Sequence, residues 1–248
     1  MTCSAIEVTP TSHTLWLWQE ALADVPTQRP GEALDLGRGD ALLVVGAHPD
    51  DETFGVAGTM ASLAAGGVDV HVVSMSSGEA ALDHVGVPVA DLAARRRREL
   101  HEAGEVLGAA SVAAMEFPDG HLADFETEMA LTIEAAARSH GVRRILTVAW
   151  CDPHPDHAAV ARAALEAAAR CRIPVTAYAI WALHWTEPDD PMMRESPMTL
   201  MSLDQQARAA RRAAISCYRS QTEPLATSVA AVLPPSFVGN DLELLFTR

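Results

Sequence analysis

Lysine is absent from this chain: arginine supplies all 18 basic side chains, against 33 aspartates and glutamates, and the formal net charge is −15. A surface this acidic offers no face for a phosphate backbone, which excludes nucleic acid as a partner. Arginine used to the exclusion of lysine points to a GC-rich coding sequence and carries no catalytic meaning. Aromatic residues make up only 5% of the chain while alanine is abundant, so the core must come from close helix-on-sheet packing. No apolar run approaches the ~20 residues needed to cross a bilayer, and the first residues lack a basic stretch followed by an apolar one. A cytoplasmic protein with no membrane partner is expected. Cysteine is scarce and scattered, at Cys3, Cys151, Cys171 and Cys217, with no C-x-x-C pair, so neither a disulfide framework nor a thiolate metal site is expected. Cys151, at the end of a strand, reads as a small filler.

What is present is an alternation of apolar strands and helices over most of the 248 residues, enough for one large domain. Ala41 to Ala47 is a continuous apolar run of the kind buried on both faces of a parallel sheet. Thr53 to Ala65 reads as a helix, Val68 to Ser76 as a second strand, Leu92 to Leu107 as a helix and Val112 to Phe117 as a third strand. Phe125 to His140 reads as a helix, Arg143 to Trp150 as a fourth strand, Asp156 to Ala169 as a helix and Val175 to Trp181 as a fifth strand. Such alternation predicts an α/β fold, a Rossmann-like open, mostly parallel sheet with helices on both faces. With the strands in the order 3-2-1-4-5, strands one and four are neighbours whose following loops leave in opposite directions, and the crevice between them is where ligands bind. The four arginines Arg95 to Arg98 read as a solvated helix face paired with Glu99 and Glu102. Residues 1–40 read as an N-terminal helix, with Trp16, Trp18, Ala21 and Leu22 on one face, and a linker; residues 41–248 read as the single main domain. Glu79 to Ala90 and His184 to Thr199 read as irregular loops around a pocket. The second could serve equally as a lid, with Trp185 facing a ring of the substrate, or as a plain surface loop. Leu203 to Tyr218 reads as a helix, and Leu242 to Phe246 as an edge strand or brace.

The polar residues gather at the ends of strands one and four. His48, Asp50, Asp51 and Glu52 follow the first; Asp152, His154, Asp156 and His157 follow the fourth. His48, Asp51 and His157 offer two nitrogens and one oxygen, the ligand set of a catalytic zinc with a position left open. The fold rule brings His48 and His157 together although 109 positions separate them. A dinucleotide site is excluded at the same place, because Gly46 is followed by Ala47 and His48 instead of the G-x-G-x-x-G pattern.

Ala47-His48-Pro49-Asp50-Asp51-Glu52, paired with His154-Pro155-Asp156-His157, resembles the signature of the LmbE-like family, relatives of N-acetylglucosaminyl-phosphatidylinositol de-N-acetylase. Gly78-Glu79, Arg98-Glu99, Leu107-Gly108, Pro118-Asp119-Gly120 and Tyr218-Arg219-Ser220-Gln221 extend the similarity from about residue 41 to 221. The resemblance implies one zinc per chain, held by His48, Asp51 and His157, and hydrolysis of the N-acetyl group of a 2-acetamido sugar. It implies Asp50 as the general base, His154 as the group that stabilises the oxyanion or protonates the leaving amine, and Asp156 as the residue that fixes the His154 tautomer and favours its charged form. Glu52 is left to helix capping or support. The implied partner is a small glycoside, from a bacterial secondary metabolite such as a glycosylated antibiotic or from a low-molecular-weight thiol pathway, and a homo-oligomer is left open. Two histidines and a carboxylate are also the ligand set of non-haem iron oxygenases, and a silent binding protein is the third reading. The α/β pattern and the second carboxylate Asp50 favour hydrolysis.

Overall fold

The computed structural model describes residues 17–18, 20–85, 89–194, 197–224 and 230–247. Trp16 and Cys3 lie outside them. In chain order come β1 (Thr27–Gln28), α1 (Pro30–Leu34), β2 (Ala41–Gly46), α2 (Asp51–Ala65), β3 (Asp69–Ser74), α3 (Val89–Leu107), β4 (Ser111–Ala114) and α4 (Glu126–Ser139). Then follow β5 (Arg144–Val148), α5 (Pro155–Cys171), β6 (Val175–Tyr178), the short helices α6 (Ala182–Trp185) and α7 (Pro191–Arg194), and β7 (Met198–Met201). Helices α8 (Gln205–Ile215), α9 (Arg219–Thr222) and α10 (Pro235–Val238) precede the last strand, β8 (Leu244–Phe246).

The strands form one sheet in the order β1-β7-β8-β6-β5-β2-β3-β4. The parallel block β4-β3-β2-β5-β6 is the expected 3-2-1-4-5 arrangement, with β2 beside β5. Right-handed crossovers then place α2 and α3 on one face and α4 and α5 on the other, because the chain reverses direction across the sheet after β4. β2 is apolar throughout and buried on both faces, as its sequence requires.

Four features differ from the sequence reading. Within the stretch read as a linker, Thr27–Gln28 joins the sheet as an edge strand beside β7 and Pro30–Leu34 forms a short helix. The segment ending in Leu244–Phe246 is an inner strand, antiparallel to both β6 and β7, because its three consecutive apolar side chains are all buried. The stretch read as a loop, His184 to Thr199, holds the end of α6, all of α7 and the start of β7; those pieces of two to four residues are too short for a periodic signal. Glu79–Val85 forms 3-10 turns rather than irregular coil. Trp18 acts as a packing anchor, buried with Cys151, Leu183 and Phe246 and donating its indole N–H to the Thr186 carbonyl at 2.9 Å. The Cys151 thiol, pushed up to about 12 by burial and by Asp152, is a filler and no thiolate.

Candidate metal centre

The first motif is a turn pressed between β2 and α2. Asp51, the first residue of α2, folds its side chain back so that Oδ2 accepts the amides of Ala47 at 2.7 Å and His48 at 2.9 Å. The other oxygen, Oδ1, is left facing the cavity. Asp50 is held at φ 127°, a left-handed conformation that costs a non-glycine residue about 1–3 kcal/mol and persists only where its surroundings enforce it. Glu52 supplies part of that enforcement. Its Oε2 accepts the Asp50 amide at 3.2 Å, and its Oε1 accepts the hydroxyls of Thr53 at 2.6 Å and Tyr218 at 2.5 Å. The supporting use expected for Glu52 is what the structure shows.

The second motif opens α5. His154 is the N-cap, its Nδ1 accepting the Asp156 amide at 3.2 Å. Asp152 accepts the His154 amide at 3.1 Å and, through its other oxygen, the Ala182 amide at 3.2 Å.

Across the β2/β5 boundary the two motifs meet. His157 Nε2 lies 3.3 Å from Asp51 Oδ1, while its Nδ1 lies 3.2 Å from Asp152 Oδ1. His48 is arranged the same way: Nδ1 lies 3.8 Å from Asp51 Oδ2, and Nε2 lies 3.0 Å from Asp119 Oδ1 and 3.2 Å from Asp156 Oδ2. Each histidine therefore turns one nitrogen toward Asp51 and the other onto a carboxylate, the arrangement found when a metal takes the first nitrogen and a carboxylate orients the ring through the second. Donor atoms of His48, Asp51 and His157 all fall within 4.8 Å of one another.

The donor set fits a small divalent cation. Two ligand atoms bound tetrahedrally at about 2.0–2.1 Å stand about 3.3 Å apart, which is the His157–Asp51 separation. His157 is fully buried, and although both ring nitrogens lie close to carboxylate oxygens, neither contact has the angles of a hydrogen bond. A shared ion would satisfy Nε2 where a hydrogen bond does not. His48, His154 and Asp156 form a second close grouping, but His154 Nδ1 is already engaged as the N-cap, and Asp156 accepts the amides of Gly120 at 2.8 Å and Leu122 at 3.2 Å.

Charge points the same way. Burial alone would lower the His48 pKa, but Asp119 and Asp156 outweigh it and raise it to about 10. Burial likewise opposes a charge on His157, and Asp51 and Asp152 carry its pKa well above the ordinary value. Asp51 is lowered despite burial, by His157 and His48. In the metal-free chain, protons on these imidazoles stand in for the cation that the carboxylates demand. Asp50 is the exception. Burial pushes its carboxyl up to about 7, with Arg96 opposing.

Arg96 corrects the reading of the arginine run. Arg95 does pair with Glu99 at 3.1 Å. Arg96, however, is buried and donates to the Gly78 carbonyl at 2.8 Å, the Pro49 carbonyl at 2.8 Å and Asp50 Oδ2 at 3.0 Å. Four successive helical residues sweep most of a turn, so one of them had to face inward, and Arg96 shares its face with Leu92 and Leu100. Asp119 and Asp152 also went without an assigned role. Both sit in short Asp-Pro or Pro-Asp turns, and nothing in their spacing distinguishes them from ordinary turn aspartates.

His154 is lowered to about 4, by burial and then by His157 and His48, with Asp156 opposing. Asp156 therefore does not leave it charged. The tautomer is fixed through the backbone amide, which leaves Nδ1 an acceptor and places the proton on Nε2. The cavity holding these groups has a volume of about 320 Å³. Asp50, Asp119, His154, Trp181, Trp185, Leu233 and Phe237 are among the residues that line it. Trp185 lies nearly parallel to His154, with ring centroids 6.4 Å apart, and stacks on Trp181 at 4.2 Å.

The family model for GlcNAc-PI de-N-acetylase (PIG-L) matches residues 43–168, just over half of the chain and inclusive of both motifs. The 1D-myo-inositol 2-acetamido-2-deoxy-alpha-D-glucopyranoside deacetylase of Rhodococcus opacus is 34% identical over 177 residues, 58% of this chain and 60% of that protein. The diacetylchitobiose deacetylase of Thermococcus kodakarensis is 28% identical over 136 residues, 54% of this chain and 51% of that one. The chain thus spans between half and three fifths of the length of these curated relatives. Among solved structures, GalB, the 4-carboxy-2-hydroxymuconate hydratase of Pseudomonas putida KT2440, matches with a TM-score of 0.61 at 26% identity, over 73% of this chain and 80% of that one. The family model, the curated relatives and the fold agree with the motif pair at β2 and β5: the chain belongs to the GlcNAc-PI de-N-acetylase (PIG-L) family.

Proposed function

We propose that this protein is a zinc-dependent amide hydrolase that removes the N-acetyl group from a 2-acetamido sugar conjugate. The observation that carries the proposal is the orientation of the two histidines, each with one nitrogen toward Asp51 and the other on a buried carboxylate. His48, Asp51 and His157 would hold the zinc, which when bound lowers the pKa of water and polarises the amide carbonyl. The two curated relatives, both named as deacetylases of acetamido sugars, support the choice of bond.

The chain's own residues account for the remaining steps. Asp50, with a pKa near neutrality, takes a proton from the attacking water and returns it to the amine nitrogen as the C–N bond breaks, so that acetate and a free amine leave. Arg96, on Asp50 Oδ2, holds that carboxylate in place. His154, neutral and carrying its proton on Nε2, donates a hydrogen bond to the oxygen on which negative charge develops. Asp119 and Asp156 keep the His48 ring turned; Asp152 does the same for His157.

We place the sugar ring in this cavity against Trp185, and its lining residues Trp181, Leu233 and Phe237 suit an aromatic or apolar aglycone, as in a glycosylated secondary metabolite. No helix among the described residues is long and apolar enough to cross a membrane, and the thiols of Cys151, Cys171 and Cys217 are free, which supports a reducing cytoplasm.

The test is acetate release from a panel of N-acetylglucosaminides by zinc-loaded protein, with Asp50→Ala alongside. Acetate from the wild type and nearly none from the variant is the expected result. A panel that yields no acetate, or full turnover by Asp50→Ala, contradicts the proposal.

A further inference from the structure

Helix α2, which begins with Asp51, is broken after its first turn: Val56 sits at φ −146° and ψ 24°, outside helical geometry. In an unbroken helix the Thr53 and Phe54 carbonyls would receive amides four residues on, and the Gly58 amide would donate back to Phe54. Here both carbonyls accept from the Arg211 guanidinium, Thr53 from Nη1 at 3.1 Å and Phe54 from Nη2 at 2.9 Å. Beyond the break, the amides of Gly58 and Thr59 donate to the Glu243 carboxylate at 2.7 and 2.8 Å, and the Thr59 hydroxyl joins them at 2.6 Å. Arg211 and Glu243 are both buried and pair with each other at 2.9 Å. The signs are complementary: a cation meets the carbonyl end of the first helical piece, and a carboxylate meets the amide end of the second. Glycine is needed at 58 for this approach, since a Cβ there would stand 3.1 Å from Glu243 Oε1 and 2.4 Å from Leu203 Cδ1.

A buried ion pair is a weak source of stability, because desolvation offsets its attraction. Its value here is geometric. The turn that precedes the break carries Asp50, Asp51 and Glu52, and right at the break Gly55 lies against Tyr178, whose hydroxyl donates to the Val45 carbonyl at 3.0 Å. We infer that Arg211 and Glu243 are positioning residues: they splice the broken helix and set the direction of its first turn, so that Asp51 Oδ1 faces His157 Nε2. Neither lies within the residues that match the family. The inference rests on the metal-site reading given above.

Cobalt binding tests it, with affinity measured by competition against a chromophoric chelator, d–d absorption recorded, and Tm followed by calorimetry. Glu243→Gln removes the charge and one acceptor, and Arg211→Lys removes the fork that spans two carbonyls. Each is expected to bind cobalt at least tenfold more weakly than the wild type, with shifted d–d bands. Ile133→Ala, on the buried face of α4, serves as the control for lost stability and is expected to bind within twofold of the wild type. Should either splice variant fail to fold, Thr59→Val deletes only the hydroxyl contact and is expected to bind two- to fivefold more weakly with the same band shift in miniature. Wild-type affinity and bands in the folded splice variants, or in Thr59→Val, overturn the inference. A wild type that binds no cobalt or zinc overturns instead the metal reading beneath it.

Discussion

Asp152→Asn isolates the part that an orienting carboxylate plays at this centre. The substitution keeps shape and, with its oxygen in the Oδ1 position, still accepts the His154 amide, but it gives up the acceptor for the Ala182 amide and removes the charge 3.2 Å from His157 Nδ1. At an effective dielectric of ~20, a unit charge pair at that distance is worth about 5 kcal/mol, an upper bound on what the metal-free, protonated His157 loses. With metal bound, His157 is neutral, and what is lost is the carboxylate that faces its Nδ1 and orients the ring. Carboxylates in this position are generally worth about 10–100-fold in metal affinity, or about 1.4–2.8 kcal/mol. Zinc affinity by competition titration is the assay, with thermal melting of the metal-free protein beside it. The variant is expected to bind zinc about tenfold more weakly and to melt at a lower temperature without metal. Unchanged affinity would refute the idea that Asp152 orients a ligand.

Arg96→Met removes the cation that opposes the upward push on Asp50, so the Asp50 pKa rises further above about 7 and the acid limb of the kcat/KM profile moves to higher pH; a pH profile of acetate release checks this. His48 in the metal-free chain has a pKa raised from 6.5 to about 10, so its contribution to stability is fully present below about pH 6.5 and is lost as pH rises toward 10. Melting of the metal-free wild type between pH 6 and 10 should show that loss, and Asp119→Asn should show less of it. Trp185→Ala should raise KM about tenfold with a smaller effect on kcat, as expected when a ring loses a stacking face but the reacting groups stay in place.

The placement of His48 beside His157 was legible because buried parallel strands announce themselves as apolar runs, and the switch point follows from their order. The first-turn residues of α2 and α5 were likewise readable from their polarity. Arg96 was not, since its inward face shows only when the helix is phased against Leu92 and Leu100, and a run of four arginines hides that phase. Asp119, after β4, meets His48 only through the fold, and Asp152, although only five residues before His157, looks in sequence like an ordinary turn aspartate. β8 was taken for an edge because three residues carry no sign of being flanked on both sides. Val56 gives no warning of the break in α2, and its partners Arg211 and Glu243 lie more than 150 residues away.

Metal content of the purified protein, by mass spectrometry after zinc reconstitution, with His157→Ala treated in parallel, tests the central claim most directly. One zinc per chain in the wild type and none in the variant is the predicted result. A wild type without divalent metal, or a variant that keeps its zinc, would contradict a centre built on His48, Asp51 and His157.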